Sequence, residues 1–592
     1  MSQTHPRPRR RGSSQEPSRL IPAFALRASL AGGYGLADLR ADALAGLVVG
    51  VVALPLSMAL AIASGVPPQY GLYTAILAGL VIAPLGGSRV QVSGPTAAFV
   101  VVLAPIASNF GLAGLLLATS MAGVVLIALA VARMGRLIEF VPYPVTAGFT
   151  AGIAVVIATL QVKDLLGLSP ATWPDHWVER VAALAEALPT VQPADFLVGA
   201  GTLAVLVLWR RWNRSIPAPL AGLVVGALLA AALGLVWPEA AIATIDTRFG
   251  SVVDGVATPG IPRLPPLPVA PWSLPGPGGD PLPFTLDTLR ALLPAAFTIA
   301  VLGAIESLLS AVVADGMTRQ KHDPDAELLA QGIGNVVGPF FGGIAATGAV
   351  ARTATNIRAG GRTPLSAVFH SLFVLAAVLV LAPLLGFLPM ASLAALLLVV
   401  AWNMSEARHV VRMVRTAPRS DVLVLLTCFG LTVVFDMVVA VTAGVMLAAL
   451  LFLRRMAEVA DVRLVADPHT GESALPRDAV LYEVAGPMFF GAVQKAMSAL
   501  QTVSEGTRTV VLDMRSVPVL DATALVNLES AVDRLCADGV MLVLAGVQPG
   551  PLRTLARAGW RERGHRVSVR RSFASGVADA WARSRSGAPE GG

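Results

Sequence analysis

Apolar residues dominate this chain in long blocks without charge. Residues 43–88 contain no Asp, Glu, Lys or Arg, and 90–132 repeat the pattern. A bilayer span needs about 20 mostly apolar residues, so each block holds two spans. Further spans are predicted over 140–162, 196–209 and 215–238. A Pro/Gly-rich segment over 239–286, which includes LPPLPVAPWSLPGPGG, cannot be helical and reads as an external loop. Beyond it, spans are predicted near 290–314, 328–341, 349–358, 364–385, 389–402, 420–435 and 437–453. The total is fourteen, seven on each side of the loop.

Loop charge supports that count. With a cytoplasmic start, every even-numbered exit is basic: Arg89, then Arg133 and Arg136, then Arg210, Arg211 and Arg214. In the second half come Arg319 and Lys321, Arg358 and Arg362, then Arg408, Arg412, Arg415 and Arg419, and finally Arg454 and Arg455. Lys163, Arg180 and Arg248 are the exceptions on the external side. Both termini are therefore expected in the cytoplasm of a multi-pass protein of the inner membrane.

Composition narrows the class. Of 592 residues, 55% are hydrophobic and only 14% charged, and the mean hydropathy is +0.70. Soluble domains carry roughly 25% charged residues, so a soluble enzyme is excluded. No Walker loop, HExxH or GxSxG elbow occurs, and no enzyme activity or cofactor is expected. The net charge of +7 does not imply nucleic acid. The basic start (Arg7, Arg9, Arg10, Arg11, Arg19) has no aromatic stacking residues beside it, and residues 1–35 read as a disordered cytoplasmic tail. Cys428 and Cys536 provide neither a disulfide framework nor a metal ligand set. From about 474 the pattern changes to short strands (480–485, 509–514, 540–545) alternating with helices (489–502, 522–537). This is a small soluble α/β domain over 474–585, following a membrane domain over 36–460.

Two stretches of the membrane domain cannot be continuous helix. In GGSRVQVSGPTAAF, 86–99, a Gly pair and β-branched residues precede Ser-Gly-Pro, with Pro95 suited to a first helical turn. In FFGGIAATGAVARTATNIR, 340–358, Gly342 and Gly343 lead to Thr347-Gly348 in the same way. Both follow the second span of their half, the pattern of an inverted repeat whose half-helices meet near the midplane. Two helix N-termini facing one cavity favour an anion. Arg352, about one turn past Thr347, is a charge whose depth in the membrane implies a role at that site, or else a buried acid as partner. Glu306 is the other intramembrane charge; Gly303 and Ser310 share its face, and a buried carboxyl suits proton coupling, pairing with Arg352 or a structural bond. Asp315 reads as interfacial near Arg319, and Asp436 as a hairpin turn. Pro55 in mid-span frees a backbone carbonyl, and Ser57 beside it is a polar group for the cavity wall.

The residues SGVPPQYGLYTAILAGLVIAPLGGSRVQVSGPTAAFVV (64–101), LLPAAFTIAVLGAIESLLSAVVADGMT (292–318) and LLVVAWNMSEARHVV (397–411) resemble the SulP/SLC26 anion-transporter family. Within it they resemble most the aerobic C4-dicarboxylate (DauA-type) branch. The C-terminal domain, through VVLDMRSVPVLDATAL (510–525), is similar to a STAS domain. The resemblance implies two inverted seven-helix repeats, a core moving against a gate, and a homodimer. It places the anion between Thr96, after Gly94-Pro95, and Ala351-Arg352-Thr353, with Leu56, Ser57 and Leu60 completing the wall. It further implies an acyl-carrier-protein contact at the STAS domain. Thr523 stands near the position where soluble relatives carry a phosphorylated Ser, but Asp521 and Thr523 read simply as helix caps. The expected function is proton-coupled uptake of a C4-dicarboxylate. The alternatives are sulfate or bicarbonate transport, or anion sensing with STAS output.

Overall fold

The computed structural model describes residues 21–136, 141–174, 176–213, 216–240, 242–253, 256–435, 437–459, 461–465, 475–486, 488, 506–560 and 567–586. It divides into two units, Met1–Val445 and Met446–Gly592.

The first unit opens with α1 (Phe24–Ala31), α2 (Leu36–Ala63) and α3 (Pro68–Leu85), the last widened by a π-turn over Ala78–Ile82. Residues 24–31, expected within a disordered tail, form α1 instead, and the turn before it docks through Ala23 N–H on Leu85 O at 2.8 Å; residues 1–20 lie outside the described residues. Strand β1 (Ser93–Gly94) leads into α4 (Ala97–Val131). Gly111 breaks α4 with φ +66°, splitting it into the two expected spans. The half continues with α5 (Tyr143–Leu166), the short α6 (Trp177–Glu186), α7 (Pro193–Trp212) and α8 (Ala218–Val236). The Pro-rich segment is more structured than expected, with a four-residue helix at Ile245–Arg248 and a hairpin of β2 (Gly250–Val253) and β3 (Val256–Pro259). The second half contains α9 (Leu286–Thr318), α10 (Pro324–Val337), β4 (Thr347–Gly348), α11 (Val350–Arg358), α12 (Leu365–Gly386), α13 (Met390–Met404), α14 (Ala407–Thr416), α15 (Arg419–Val434) and α16 (Met437–Val459).

Counting α4 twice at its break, and setting aside α1, α6 and α14, gives fourteen segments in two sets of seven. Among the described residues nine helical stretches are long and apolar enough to cross a membrane, one of them taking α13 and α14 together. The remainder are half-helices or short spans such as α11, which membranes accommodate where protein surrounds them. Helices α2, α3, α4 and α9 to α12 pack into one group, and α5, α7, α8, α13 and α15 into another. Asp315, at the end of α9, accepts from His322 N–H at 3.0 Å and lies 2.9 Å from its Nδ1. Asp436 lies outside the described residues.

The second unit is a five-stranded sheet in the order β5 (Asp461–Leu464), β6 (Ala479–Ala485), β7 (Thr509–Ser516), β8 (Met541–Ala545), β9 (Val567–Val569). Only the β5–β6 pair is antiparallel. Strand β5, ahead of residue 474, adds an antiparallel edge to β6. Helices α17 (Ala522–Ala537), α18 (Pro549–Arg557) and α19 (Phe573–Ser586) complete it. One side of the sheet packs Val510, Leu512, Leu542 and Leu544 against Leu528, Val532 and Leu535 of α17. Asp521 caps α17, accepting from Ala524 N–H at 2.7 Å, while Thr523 does not cap. The helix expected over 489–502 lies outside the described residues.

Candidate anion site

The two interrupted stretches meet. Ser93 stands opposite Gly348 and Gly94 opposite Thr347, as a two-residue antiparallel pair deep in the first unit. Extended backbone inside a bilayer leaves polar groups that only protein can satisfy, and buried side chains do so here. On the first stretch, Glu327 accepts from Gly87 N–H at 3.0 Å and Ser88 N–H at 3.1 Å. Asn356 donates to Val90 O at 2.8 Å, and Thr353 Oγ1 accepts from Val92 N–H at 3.1 Å. On the second stretch, Asn335 brackets Ala346 by accepting from its N–H and donating to its carbonyl, each at 2.8 Å. Thr74 accepts from Ile344 N–H at 2.8 Å.

This frame aims two helix starts at one place. Thr96 is the N-cap of α4 and Ala349 that of α11, and neither provides a side-chain cap. A threonine at an N-cap normally accepts from the first turn, yet Thr96 Oγ1 is buried without a partner. First-turn N–H groups and their partial positive charge are thus left for a ligand.

Arg352, in the first turn of α11, is 2% exposed. Its Nη2 donates to Ser57 Oγ on α2 at 3.2 Å and to Pro95 O at 3.1 Å. Its Nε and Nη1 have no protein partner. A side chain at Gly94 would collide with Nη1, so only glycine admits the guanidinium there. Glu306 on α9 is half-buried, with its carboxyl toward the Thr96 hydroxyl, and forms no ion pair with Arg352.

The structure brings Ser57, Thr96, Arg352 and Glu306 together. Ala351 is exposed at the start of α11. Thr353 is occupied by Val92 N–H and by Ser310 Oγ at 3.3 Å, so it supports the site's backbone. Ser307 and Ser310 face β4 and α11, Ser307 Oγ contacting Thr347 Oγ1 at 2.7 Å, and Thr347 Oγ1 also donates to Gly303 O at 3.1 Å; a side chain at Gly303 itself would meet Phe99 and Leu126 of α4. Sequence reasoning missed Glu327 and His370. His370 on α12 is fully buried within electrostatic reach of Arg352, and neither ring nitrogen has a partner. The available signal was an ionisable residue inside an apolar span. Glu327 lay just ahead of the stretch read as a span.

Comparison with known proteins agrees with this architecture. The profile of the sulfate permease family matches residues 39–428, and that of the STAS domain residues 473–571. The putative sulfate transporter YvdB of Bacillus subtilis is 38% identical, over 89% of this chain and 95% of its own. The bicarbonate transporter BicA of Picosynechococcus sp. is 30% identical, over 84% and 86%. The structure of the murine Slc26a9 anion transporter in its inward-facing state superposes with a TM-score of 0.80, over 95% of this chain and 94% of that one. At 20% identity that likeness concerns the fold.

Proposed function

The chain belongs to the sulfate permease (SulP/SLC26) family of anion transporters, and from that premise we propose that it moves a small inorganic oxyanion, sulfate or bicarbonate, by alternating access. The observation that carries the reading is Arg352: a buried guanidinium with two nitrogens free of protein partners, between two uncapped helix starts. Dehydrating an anion is costly, and fixed N–H dipoles with one positive charge offset that cost without rearrangement. Ser57 and Pro95 hold the guanidinium in place, and Thr96 adds a hydroxyl beside Glu306. In this reading the group of α2, α3, α4 and α9 to α12 carries the anion past the group of α5, α7, α8, α13 and α15.

The substrate in this reading is the alternative to the dicarboxylate first expected. The relatives named above are described as sulfate and bicarbonate transporters, which favours the inorganic alternative. Glu306 beside Thr96 is proposed as the proton-coupling carboxyl. Uptake by the purified chain in proteoliposomes tests all of this, with labelled sulfate, bicarbonate and succinate compared with and without a pH gradient. Sulfate or bicarbonate should be taken up in preference to succinate, and transport of any of them removes the pure-sensor reading. Succinate uptake exceeding both would return the substrate to the dicarboxylates.

A further inference from the structure

Between the spans α13 and α15 lies α14, a helix of a different kind. Its sequence, ARHVVRMVRT, is too polar to cross a bilayer, and it has no buried residue. Arg408, Arg412 and Arg415 recur at i, i+4 and i+7 and so form one stripe. All three are exposed, and among the described residues none has an acidic partner. Beside the stripe, Val411 and Val414 are 49% and 42% exposed. Val410 and Met413, on the side away from the arginines, are half-buried, as is Ala407. Tyr143 at the start of α5 anchors the helix, its ring edge-on to His409 at 6.5 Å and its hydroxyl donating to Glu406 at 3.4 Å.

We propose that α14 is a docking surface for the anionic phospholipid headgroups of the bilayer, with Arg408, Arg412 and Arg415 on the phosphates and Val411 and Val414 in the acyl boundary. Two observations select a lipid surface over a soluble acidic partner. The apolar stripe is continuous with the basic one, which a membrane interface matches and water does not. The helix is also tied at both ends to spans, so it is held at the bilayer boundary. The loop pattern places it on the arginine-rich side, where anionic lipids attract basic residues. Because α13, α15 and α5 all belong to the same group of helices, lipid bound at α14 bears on the group against which the anion-carrying helices would move. The proposal rests on the transport reading only for its flux measurement; lipid retention is independent of it.

The test uses the full chain and Arg408→Gln/Arg412→Gln/Arg415→Gln, each reconstituted in phosphatidylcholine vesicles and in vesicles of phosphatidylcholine with phosphatidylglycerol. Each arginine near an anionic surface contributes a factor of about five in association. The triple variant should therefore retain phosphatidylglycerol through purification on the order of a hundredfold more weakly, as read by native mass spectrometry. Anion flux of the parent should rise with phosphatidylglycerol, while the variant keeps its phosphatidylcholine rate and loses the increment. A fluorophore on Val414→Cys should be quenched by brominated lipid, which reports the helix position even if the triple variant folds poorly. Equal lipid retention by both proteins, a label quenched only from water, or stimulation by free glycerol phosphate in phosphatidylcholine vesicles would overturn the proposal.

Discussion

Arg352 in the second repeat donates through Nη2 to the backbone oxygen of Pro95 in the first, at 3.1 Å. The bond crosses the point where the two half-helices begin, and it orients the charge. Its other partner, Ser57, is on α2, so three separate stretches of chain define the position of one guanidinium. The geometry of the proposed anion site is thereby tied to the packing of those three stretches.

Replacing Arg352 should separate binding from folding. Arg352→Ala removes a charged donor, and such bonds contribute about 1.5–3 kcal/mol. Anion affinity should fall about ten- to a hundredfold, measured by calorimetry in detergent. The melting temperature should hold or rise, because the change also relieves a buried charge. Arg352→Lys should recover affinity only in part, since a point charge cannot hold Ser57 and Pro95 while presenting further N–H groups.

Gly94→Ala tests the geometry without touching a charge. The added methyl group meets Arg352 Nη1, so the guanidinium must shift. Transport should fall severalfold while Gly430→Ala, where a side chain meets open space, behaves as the parent. Unchanged anion affinity in the Gly94→Ala protein would mean that the guanidinium position is not critical.

Glu327 should matter to folding more than to binding. Glu327→Ala strips an acceptor from Gly87 and Ser88 N–H and from the amides of Gln91 and Gln331, at 2.9 and 3.0 Å. Each buried donor left unpaired costs about 1–3 kcal/mol, so little folded protein is expected. Glu327→Gln should be far milder. Gln91 and Gln331 each carry a side-chain oxygen without a partner, and turning those amides over supplies acceptors. Size-exclusion profiles and melting temperatures of the two variants check the contrast.

Acid should loosen the STAS domain through Asp579 on α19. Burial alone would raise its carboxyl, but Arg570 at 2.6 Å and Ser568 hold it below the ordinary range. With the folded value below the unfolded one, the stabilisation is fully present above about pH 4 and is lost as pH falls through the folded value. Thermal unfolding of the full chain, followed by tryptophan fluorescence, should show an acid-sensitive transition that is flatter in Asp579→Asn.

Topology can be read with thiols. Cys428 is buried and Cys536 partly so, so Cys536→Ser clears the background. Cysteines at Pro268 and Asp478 should then differ in labelling by an impermeant reagent on intact cells, with only Pro268→Cys reacting. Equal labelling would contradict a cytoplasmic C-terminus.

By itself the sequence determined the two sets of seven segments, the α/β tail and the facing half-helices. Those features reside in local patterns: uncharged runs of bilayer length, Gly-Gly and Ser/Thr-Gly breaks at matching positions, and short apolar strands alternating with helices. From the residues it offered Ser57, Arg352 and Glu306 as candidates for one cavity, and the family resemblance added Thr96, Ala351 and Thr353. What only the tertiary structure decided is which polar side chains face a ligand and which serve the backbone. Thr353, adjacent to Arg352, is claimed by Val92 N–H from 261 residues away. Glu327 is claimed by Gly87 and Ser88 from 240 and 239 residues away. The α14 helix, read as part of a basic loop, becomes a surface only when Tyr143 pins it. For Thr353 and Glu327 the physical reason is the same: in a dry interior every backbone N–H and carbonyl needs a partner, and where extended chain lacks one, the partner comes from whichever distant helix packs beside it.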